Sequence, residues 1–159
     1  MRVIDASSMI WAWDNYPIGQ IPNLWAWLRT EVEAGELVIP SVALTEVNHK
    51  IPACGAWLHG NGCNVIQVTN VILQSALQTK ALLGIANDNY HPKGVDENDV
   101  LIVATAHTMG VELLSDENRQ QNLPPDLRRY KIPAVCDLPQ INVPCSKFVE
   151  FFKGSGQIV

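Results

Sequence analysis

The sequence lacks any long apolar run. No stretch approaches the roughly 18 consecutive apolar residues of a membrane span. Asp5 also interrupts the first apolar run before it can form the apolar core of a signal peptide, which takes roughly 7–15 residues. We therefore predict a protein that has no membrane partner and works in the cytoplasm.

Charged residues are few and basic residues are not in excess. Only 17% of the 159 residues are charged, 47% are hydrophobic, and the formal net charge is -5. This balance predicts a globular chain with a single core. It lacks the basic footprint of a nonspecific nucleic-acid binder. A carboxylate cluster that holds divalent cations would still permit a nucleic-acid substrate.

The sequence also lacks a close C-x-x-C pair. In a cytoplasmic protein its four cysteines are expected to be reduced, and none has the spacing typical of a zinc or redox site. Cys54, His59 and Cys63 offer three possible metal ligands, but their irregular spacing favours a role for the thiols in core packing.

Short β-branched runs alternate with longer segments of helical period. The runs predict strands at residues 2–4, 37–39, 65–68 and 111–114, with a weaker one at 132–135. This alternation predicts an α/β fold, with a parallel sheet of four to five strands covered by helices on both faces.

Five acids are candidates for a site: Asp5, Glu46, Asp99, Asp116 and Glu117. Glu46 lies inside the helix that follows the second strand, and the other four follow predicted strands or lie at a predicted helix start. The carboxyl ends of parallel strands meet at one edge of a sheet, so we expect these side chains to converge. Each acid also has an alternative interpretation, which for Asp116 and Glu117 is that of solvated loop acids. Asp5 could cap a helix, Glu46 could lie on a solvated face, and Asp99 could complete a capping box with Asp96.

Converged carboxylates repel one another unless cations neutralise them. Hard divalent ions prefer carboxylate ligands, and they can activate water and polarise a phosphodiester. The acids therefore predict a phosphoryl-transfer site that uses Mg²⁺ or Mn²⁺, most simply a nuclease.

At these acids the sequence resembles the PIN-domain ribonucleases, which include the VapC toxins of bacterial toxin–antitoxin pairs. "VIDASSMI" is similar to the family's opening strand and turn, and "IPSVALTEVNHK" to its second strand and Glu-bearing helix. "NDVLIVATAHTMGVELLSDE" resembles its Asp-led apolar helix, the strand after it and a final acidic turn. The late "KIPAVCDLPQINVPCSKFVEFF" looks like the tail of an uncharacterised bacterial subfamily.

The resemblance implies a single PIN-like three-layer domain over residues 1–153 and a short C-terminal tail at 154–159. It further implies that catalytic and metal-binding roles fall to Asp5, Glu46, Asp99 and Glu117, with Asp116 as the alternative fourth acid. Ser7 and Ser115 would support the metal site by hydrogen bonding.

The same resemblance implies an RNA substrate, Mg²⁺ or Mn²⁺, a homodimer and a cognate antitoxin. The products would carry a 5′-phosphate and a 3′-hydroxyl. Two other readings stay open. One is a catalytically inactive PIN-like module that only binds partners. The other is a haloacid-dehalogenase-like phosphatase, against which Ser7 stands at the position where such enzymes need a second Asp.

All five tryptophans lie within the first 57 residues. Helical spacing predicts that Trp25 is in the core, whereas Trp11, Trp13 and Trp27 are candidates for a hydrophobic groove that binds a protein partner. Six basic residues are candidates for contacts with the RNA backbone: Lys50, Lys93, Arg119, Arg128, Arg129 and Lys131.

Overall fold

Strands and helices alternate along the chain, and the computed structural model describes all 159 residues. The strands are β1 (Arg2–Ile4), β2 (Leu37–Pro40), β3 (Val65–Ile66), β4 (Glu112–Leu114) and β5 (Cys145–Ser146). The first four helices are α1 (Ala6–Asn15), α2 (Pro22–Glu33), α3 (Ser41–Lys50) and α4 (Pro52–Gly60). The last four are α5 (Asn70–Leu83), α6 (Glu97–Met109), α7 (Ile132–Cys136) and α8 (Phe148–Ser155), and a short 3-10 helix covers Leu127–Arg129.

The five strands form one parallel sheet in the order β3-β2-β1-β4-β5. At the centre of the sheet, Val3 of β1 is opposite Val38 of β2 on one side and opposite Leu113 of β4 on the other. The predicted α/β fold with a parallel sheet is confirmed.

Both faces of this sheet are covered. Successive residues of a strand point to opposite faces. Neighbouring residues are nevertheless fully buried, as for Val38 and Ile39 in β2 and for Leu113 and Leu114 in β4. Helices therefore pack on both sides, which makes a three-layer α/β fold. No helix combines the length and the apolar composition needed to cross a membrane.

The strand order changes direction between β1 and β4. From β1 the chain builds outward through β2 to β3, and it then returns to the other side of β1 to add β4 and β5. In open α/β sheets the crevice at such a switch point, beyond the carboxyl ends of the strands, is the usual ligand site. Asp5 follows β1 and Ser115 follows β4, so both residues lie at this crevice.

Side-chain caps begin two long helices, and the cap of α6 is one that the sequence predicts. The hydroxyl of Thr69 accepts the N–H of Ile72 at the start of α5. Asp96 accepts the N–H of Asp99 at the start of α6. α6 ends at Gly110, which adopts a left-handed conformation with a φ of 66°.

The weak strand predicted at 132–135 is wrong. These residues form α7, and β5 is instead the two-residue segment Cys145–Ser146. Every residue of α7 is buried, so the segment shows no amphipathic period that would separate it from a buried strand. Pro133 also fits the first turn of a helix, where no backbone N–H is needed.

α4 carries weak helix signals because Pro52, Gly55 and Gly60 interrupt it. A Cβ at Gly55 would lie 1.7 Å from Oδ1 of Asn48, so this glycine allows α4 to pack closely against α3. β3 ends at Ile66, earlier than predicted, and α8 continues to Ser155, inside the predicted tail.

Candidate functional site

A cavity of about 320 Å³ opens at the switch point of the sheet. Its lining contains six carboxylates, one lysine and several neutral side chains. These residues are Asp5, Ser7, Ile10, Trp11, Asp14, Asn15, Glu46, Lys50, Asp99, Asp116 and Glu117. The structure therefore brings all five predicted acids to one cavity, although they come from four separate parts of the chain.

Asp5 is the most buried acid of the cavity, with 3% of its surface exposed. Its backbone N–H donates to the carbonyl of Leu114 (2.8 Å), which ties the end of β1 to the end of β4. Its Oδ2 accepts hydrogen bonds from Ser7 (2.6 Å) and Ser115 (3.0 Å). Its side chain makes no capping hydrogen bond to α1, so the alternative reading of Asp5 as a side-chain cap is wrong.

Burial raises the pKa of Asp5 from 3.8 to about 6, and the charges of Glu117 and Glu46 contribute to this rise. The two serine hydroxyls act in the opposite direction, because they stabilise the ionised carboxylate. Ser7 and Ser115 therefore favour the ionised form of this acid, and the role at a metal site that the resemblance implies for them stays a prediction.

Asp99 fits both of its predicted readings. Its Oδ2 accepts the backbone N–H of Asp96 (3.0 Å), and its own N–H donates to Oδ1 of Asp96 (2.8 Å), which completes a capping box. The same carboxylate lines the cavity. Burial raises its pKa to about 7, and the charges of Asp96, Asp5 and Glu117 contribute to the rise.

Glu46 extends from α3 and is half-buried. Its Oε1 lies 2.6 Å from Nζ of Lys50, one helical turn away. Lys50 is the one basic side chain in the cavity lining. Hydrogen bonding to Glu46 raises the pKa of Lys50, so the ammonium stays charged beside the acids.

The carboxylates of Asp116 and Glu117 differ in their hydrogen bonds. Oδ1 of Asp116 accepts hydrogen bonds from the Ser8 hydroxyl (2.5 Å) and from the backbone N–H of Phe148 (2.9 Å). The structure shows no hydrogen bond or ion pair to the Glu117 carboxylate, and the charge of Glu117 acts on the pKa of both Asp5 and Asp99. The geometry therefore favours Glu117 over Asp116 as the fourth acid.

Apart from Ser7, sequence reasoning missed the contribution of α1 to the cavity. Ser7, Trp11, Asp14 and Asn15 all line it. Their spacing of four, seven and eight residues from Ser7 places them on one helical face. That spacing is visible in the sequence, but Trp11 was interpreted there as part of a partner-binding groove.

The structure does not form such a groove from the three tryptophans. Trp11 lines the acidic cavity, whereas Trp27 lines a different cavity and stacks against Phe151 with ring centroids 5.2 Å apart. Trp13 packs edge-on against Trp25, which is buried as predicted.

The candidate cysteines, and all the basic candidates except Lys50, lie outside the cavity. Cys54 is buried and Cys63 is half-buried, and burial raises the pKa of both thiols. Among the basic candidates, Arg119 pairs with Glu150 (3.0 Å) and Arg128 with Asp126 (2.9 Å). Only Lys50 lines the cavity.

The donor chemistry of the cavity fits a hard divalent cation, because the charged donors around Asp5 are carboxylates. No group of three or more His, Cys, Asp or Glu side chains is arranged to hold a metal ion. Ligation would therefore require the carboxylates to approach one another. Glu46 is suited to this movement, because only an exposed ion pair holds it.

The fold and the cavity define a three-layer α/β protein with an acidic site at the carboxyl edge of its sheet. The chain belongs to the family described as "Domain of unknown function (DUF4411)", whose family model matches residues 3–157. That range includes every residue of the cavity. A search of curated proteins gave no match.

Proposed function

We propose that this protein is an endoribonuclease that depends on Mg²⁺ or Mn²⁺. One observation carries the proposal. Carboxylates from the end of β1, from α3, from the start of α6 and from the turn after β4 line a single cavity at the switch point. A carboxylate cluster at this location fits phosphodiester hydrolysis better than it fits a structural role, because the mutual repulsion weakens the fold.

In this proposal Asp5, Glu46, Asp99 and Glu117 hold the cation. A bound Mg²⁺ or Mn²⁺ supplies an activated water and charge stabilisation at the phosphate. Ser7 and Ser115 keep the Asp5 carboxylate oriented through their hydrogen bonds to Oδ2. Asp116 has a positioning role, since it fixes the turn that presents Glu117.

The bond changes are those of hydrolysis. The oxygen of water forms a bond to phosphorus, and the bond from phosphorus to the 3′ oxygen breaks. The products carry a 5′-phosphate and a 3′-hydroxyl. The attacking water releases one proton to solvent, and the departing 3′ oxygen takes up one proton from solvent, so the reaction consumes only water.

The experiment is cleavage of total cellular RNA by the purified protein with Mg²⁺, Mn²⁺ or EDTA. Asp5→Asn and Asp99→Asn are the test variants. Asp137→Asn is the matched control, because Asp137 is an exposed acid outside the cavity. Discrete cuts that need the metal, disappear in both test variants and persist in the control would support the nuclease. If the metal-loaded wild type cuts nothing, the protein is better described as an inactive partner-binding module.

We further propose that the enzyme acts in the bacterial cytoplasm as the toxin of a toxin–antitoxin pair. This step rests on the sequence resemblance. Induced expression of the wild type in a bacterial host should arrest growth, whereas Asp5→Asn should not. Equal growth of the two strains would instead favour a role in RNA processing.

A homodimer is part of the same proposal. Helix α5 exposes three apolar side chains, Val71, Leu73 and Leu77, with 60%, 44% and 62% of their surfaces accessible. Its one charged residue, Lys80, is engaged in ion pairs with Asp88 and Glu97. We expect light scattering to give the mass of a dimer, and Leu77→Glu to give that of a monomer.

A further inference from the structure

Trp11 lies in the acidic cavity, yet the proposed chemistry gives it no task. It is half-buried and lines the cavity beside Ser7 and Asp14. A large apolar ring in the wall of a site lined with carboxylates provides contact area that does not depend on charge.

Helix geometry places Trp11 close to the acids. Ser7, Trp11 and Asn15 follow one another at intervals of four residues on one face of α1. At 1.5 Å of rise per residue, each interval is about 6 Å along the helix axis. Ser7 contacts Asp5 directly, so the indole lies about one helical turn from the proposed site of phosphate chemistry.

Neighbouring rings hold the indole in place. Tyr16 packs against it edge-on at 5.4 Å, and Phe148 packs against it at 6.2 Å. The backbone N–H of Phe148 in turn donates to Asp116 (2.9 Å), in the turn that carries Glu117. The indole is therefore fixed relative to the acids before any substrate arrives, which reduces the entropy cost of stacking a ligand on it.

The charge of the cavity favours such a contact. The cavity lining has six carboxylates and one lysine, and that lysine is paired with Glu46. Without a bound cation this surface repels phosphates, so an uncharged contact adds to the energy that holds a nucleic acid. Aromatic stacking provides one, because every nucleobase has a π-face.

We infer that Trp11 stacks on the nucleobase next to the scissile phosphate. The inference rests on the proposed nuclease function and adds a substrate-positioning residue to it. A base can stack on the indole only when it is unstacked from its neighbours, so the contact selects unpaired nucleotides at the cut.

The test separates stacking from packing. Trp11→Leu keeps an apolar side chain against Tyr16 and Phe148 but removes the aromatic ring, whereas Trp11→Phe keeps a ring. Trp13→Leu is the matched control, because Trp13 lies on the same helix but packs against Trp25.

Circular dichroism and thermal melting verify that each variant is folded. Steady-state cleavage of a short single-stranded oligoribonucleotide with Mg²⁺ gives kcat and KM. Binding of the same RNA to each variant in an Asp5→Asn background gives Kd.

We expect Trp11→Leu to raise KM and Kd by about tenfold, Trp11→Phe to recover most of the loss, and Trp13→Leu to match its parent. Equal KM and Kd values for Trp11→Leu and its parent, in a protein that cleaves RNA, would overturn the inference and leave the nuclease function intact. Failure of the wild type to bind or cleave any RNA would instead reject the proposed function, and this inference with it.

Discussion

Ser8 donates a hydrogen bond of 2.5 Å to Oδ1 of Asp116 and so joins the first turn of α1 to the turn after β4. The backbone N–H of Phe148, at the start of α8, donates to the same oxygen. One carboxylate oxygen therefore connects three segments that are distant in the chain. The next acid, Glu117, has no such connection and lines the cavity.

This difference predicts that substitution of Asp116 lowers stability, whereas substitution of Glu117 lowers activity. Asp116→Ala removes the acceptor of two hydrogen bonds and should lower the free energy of unfolding by about 2 kcal/mol. Glu117→Gln should leave stability close to that of the wild type but reduce RNA cleavage at least tenfold, because a neutral amide binds a cation more weakly than a carboxylate. Urea denaturation and cleavage rates measure the two effects.

Asp116→Asn is the control, since its amide oxygen can still accept from Ser8 and Phe148. It should retain more stability than Asp116→Ala. If Asp116→Asn abolishes cleavage while Glu117→Gln does not, then Asp116 is the fourth metal ligand and our assignment is wrong.

Much of this arrangement could be predicted from the sequence. The strands β1, β2 and β4 are short apolar runs that stop at polar residues, and parallel strands end at one edge. Those two facts are sufficient to bring Asp5 and Glu117 to one edge of the sheet, whereas Glu46 and Asp99 reach the cavity from α3 and from the start of α6. The capping box of Asp96 and Asp99 was also visible, because it depends only on local spacing.

The remainder depends on contacts that local patterns do not encode. β5 has only two residues, so no period can reveal it, and α7 is buried on all sides. The distinction between Asp116 and Glu117 arises from a hydrogen bond to the backbone of Phe148, 32 residues away. The place of Trp11 beside the acids required the relative packing of α1, α8 and the sheet.

The buried carboxylate of Asp5 should make the protein less stable as pH rises. Its pKa is about 6 in the folded state and 3.8 without burial. Between these values the folded state holds a proton that the unfolded state has released, so the free energy of unfolding falls with increasing pH. Above pH 6 the penalty is about 3 kcal/mol. Asp5→Asn should remove it.

Urea denaturation in EDTA, from about pH 4 to about pH 8, measures this effect. The free energy of unfolding of Asp5→Asn minus that of the wild type should be small at the acid end and grow toward neutral pH. Added Mg²⁺ should stabilise the wild type near pH 8 more than the variant, because the cation offsets the carboxylate charge. A constant difference across the pH range would show that the ionisation of Asp5 does not oppose folding.

The hydroxyl of Ser115 should set the pH at which Asp5 ionises. It donates to Oδ2 of Asp5 (3.0 Å) and lowers the pKa of that carboxyl. In Ser115→Ala the pKa should rise, and at limiting Mg²⁺ the acid limb of kcat/KM should move to higher pH by roughly one pH unit. Ser146→Ala is the control, because Ser146 donates to Glu112. A profile for Ser115→Ala that is lower at every pH but not shifted would contradict this role.

Lys50 should compete with a divalent cation for Glu46. The Lys50 ammonium lies 2.6 Å from the Glu46 carboxylate, and both side chains are partly exposed. Lys50→Met keeps the apolar stem but removes the charge, so Mn²⁺ should bind about fivefold more tightly. Isothermal titration calorimetry measures the affinity, with Lys93→Met as the control outside the cavity. The gain should shrink at high salt, because salt screens exposed charges. If Lys50→Met instead binds Mn²⁺ no more tightly than the control does, Glu46 is not a ligand that the ion and the lysine share.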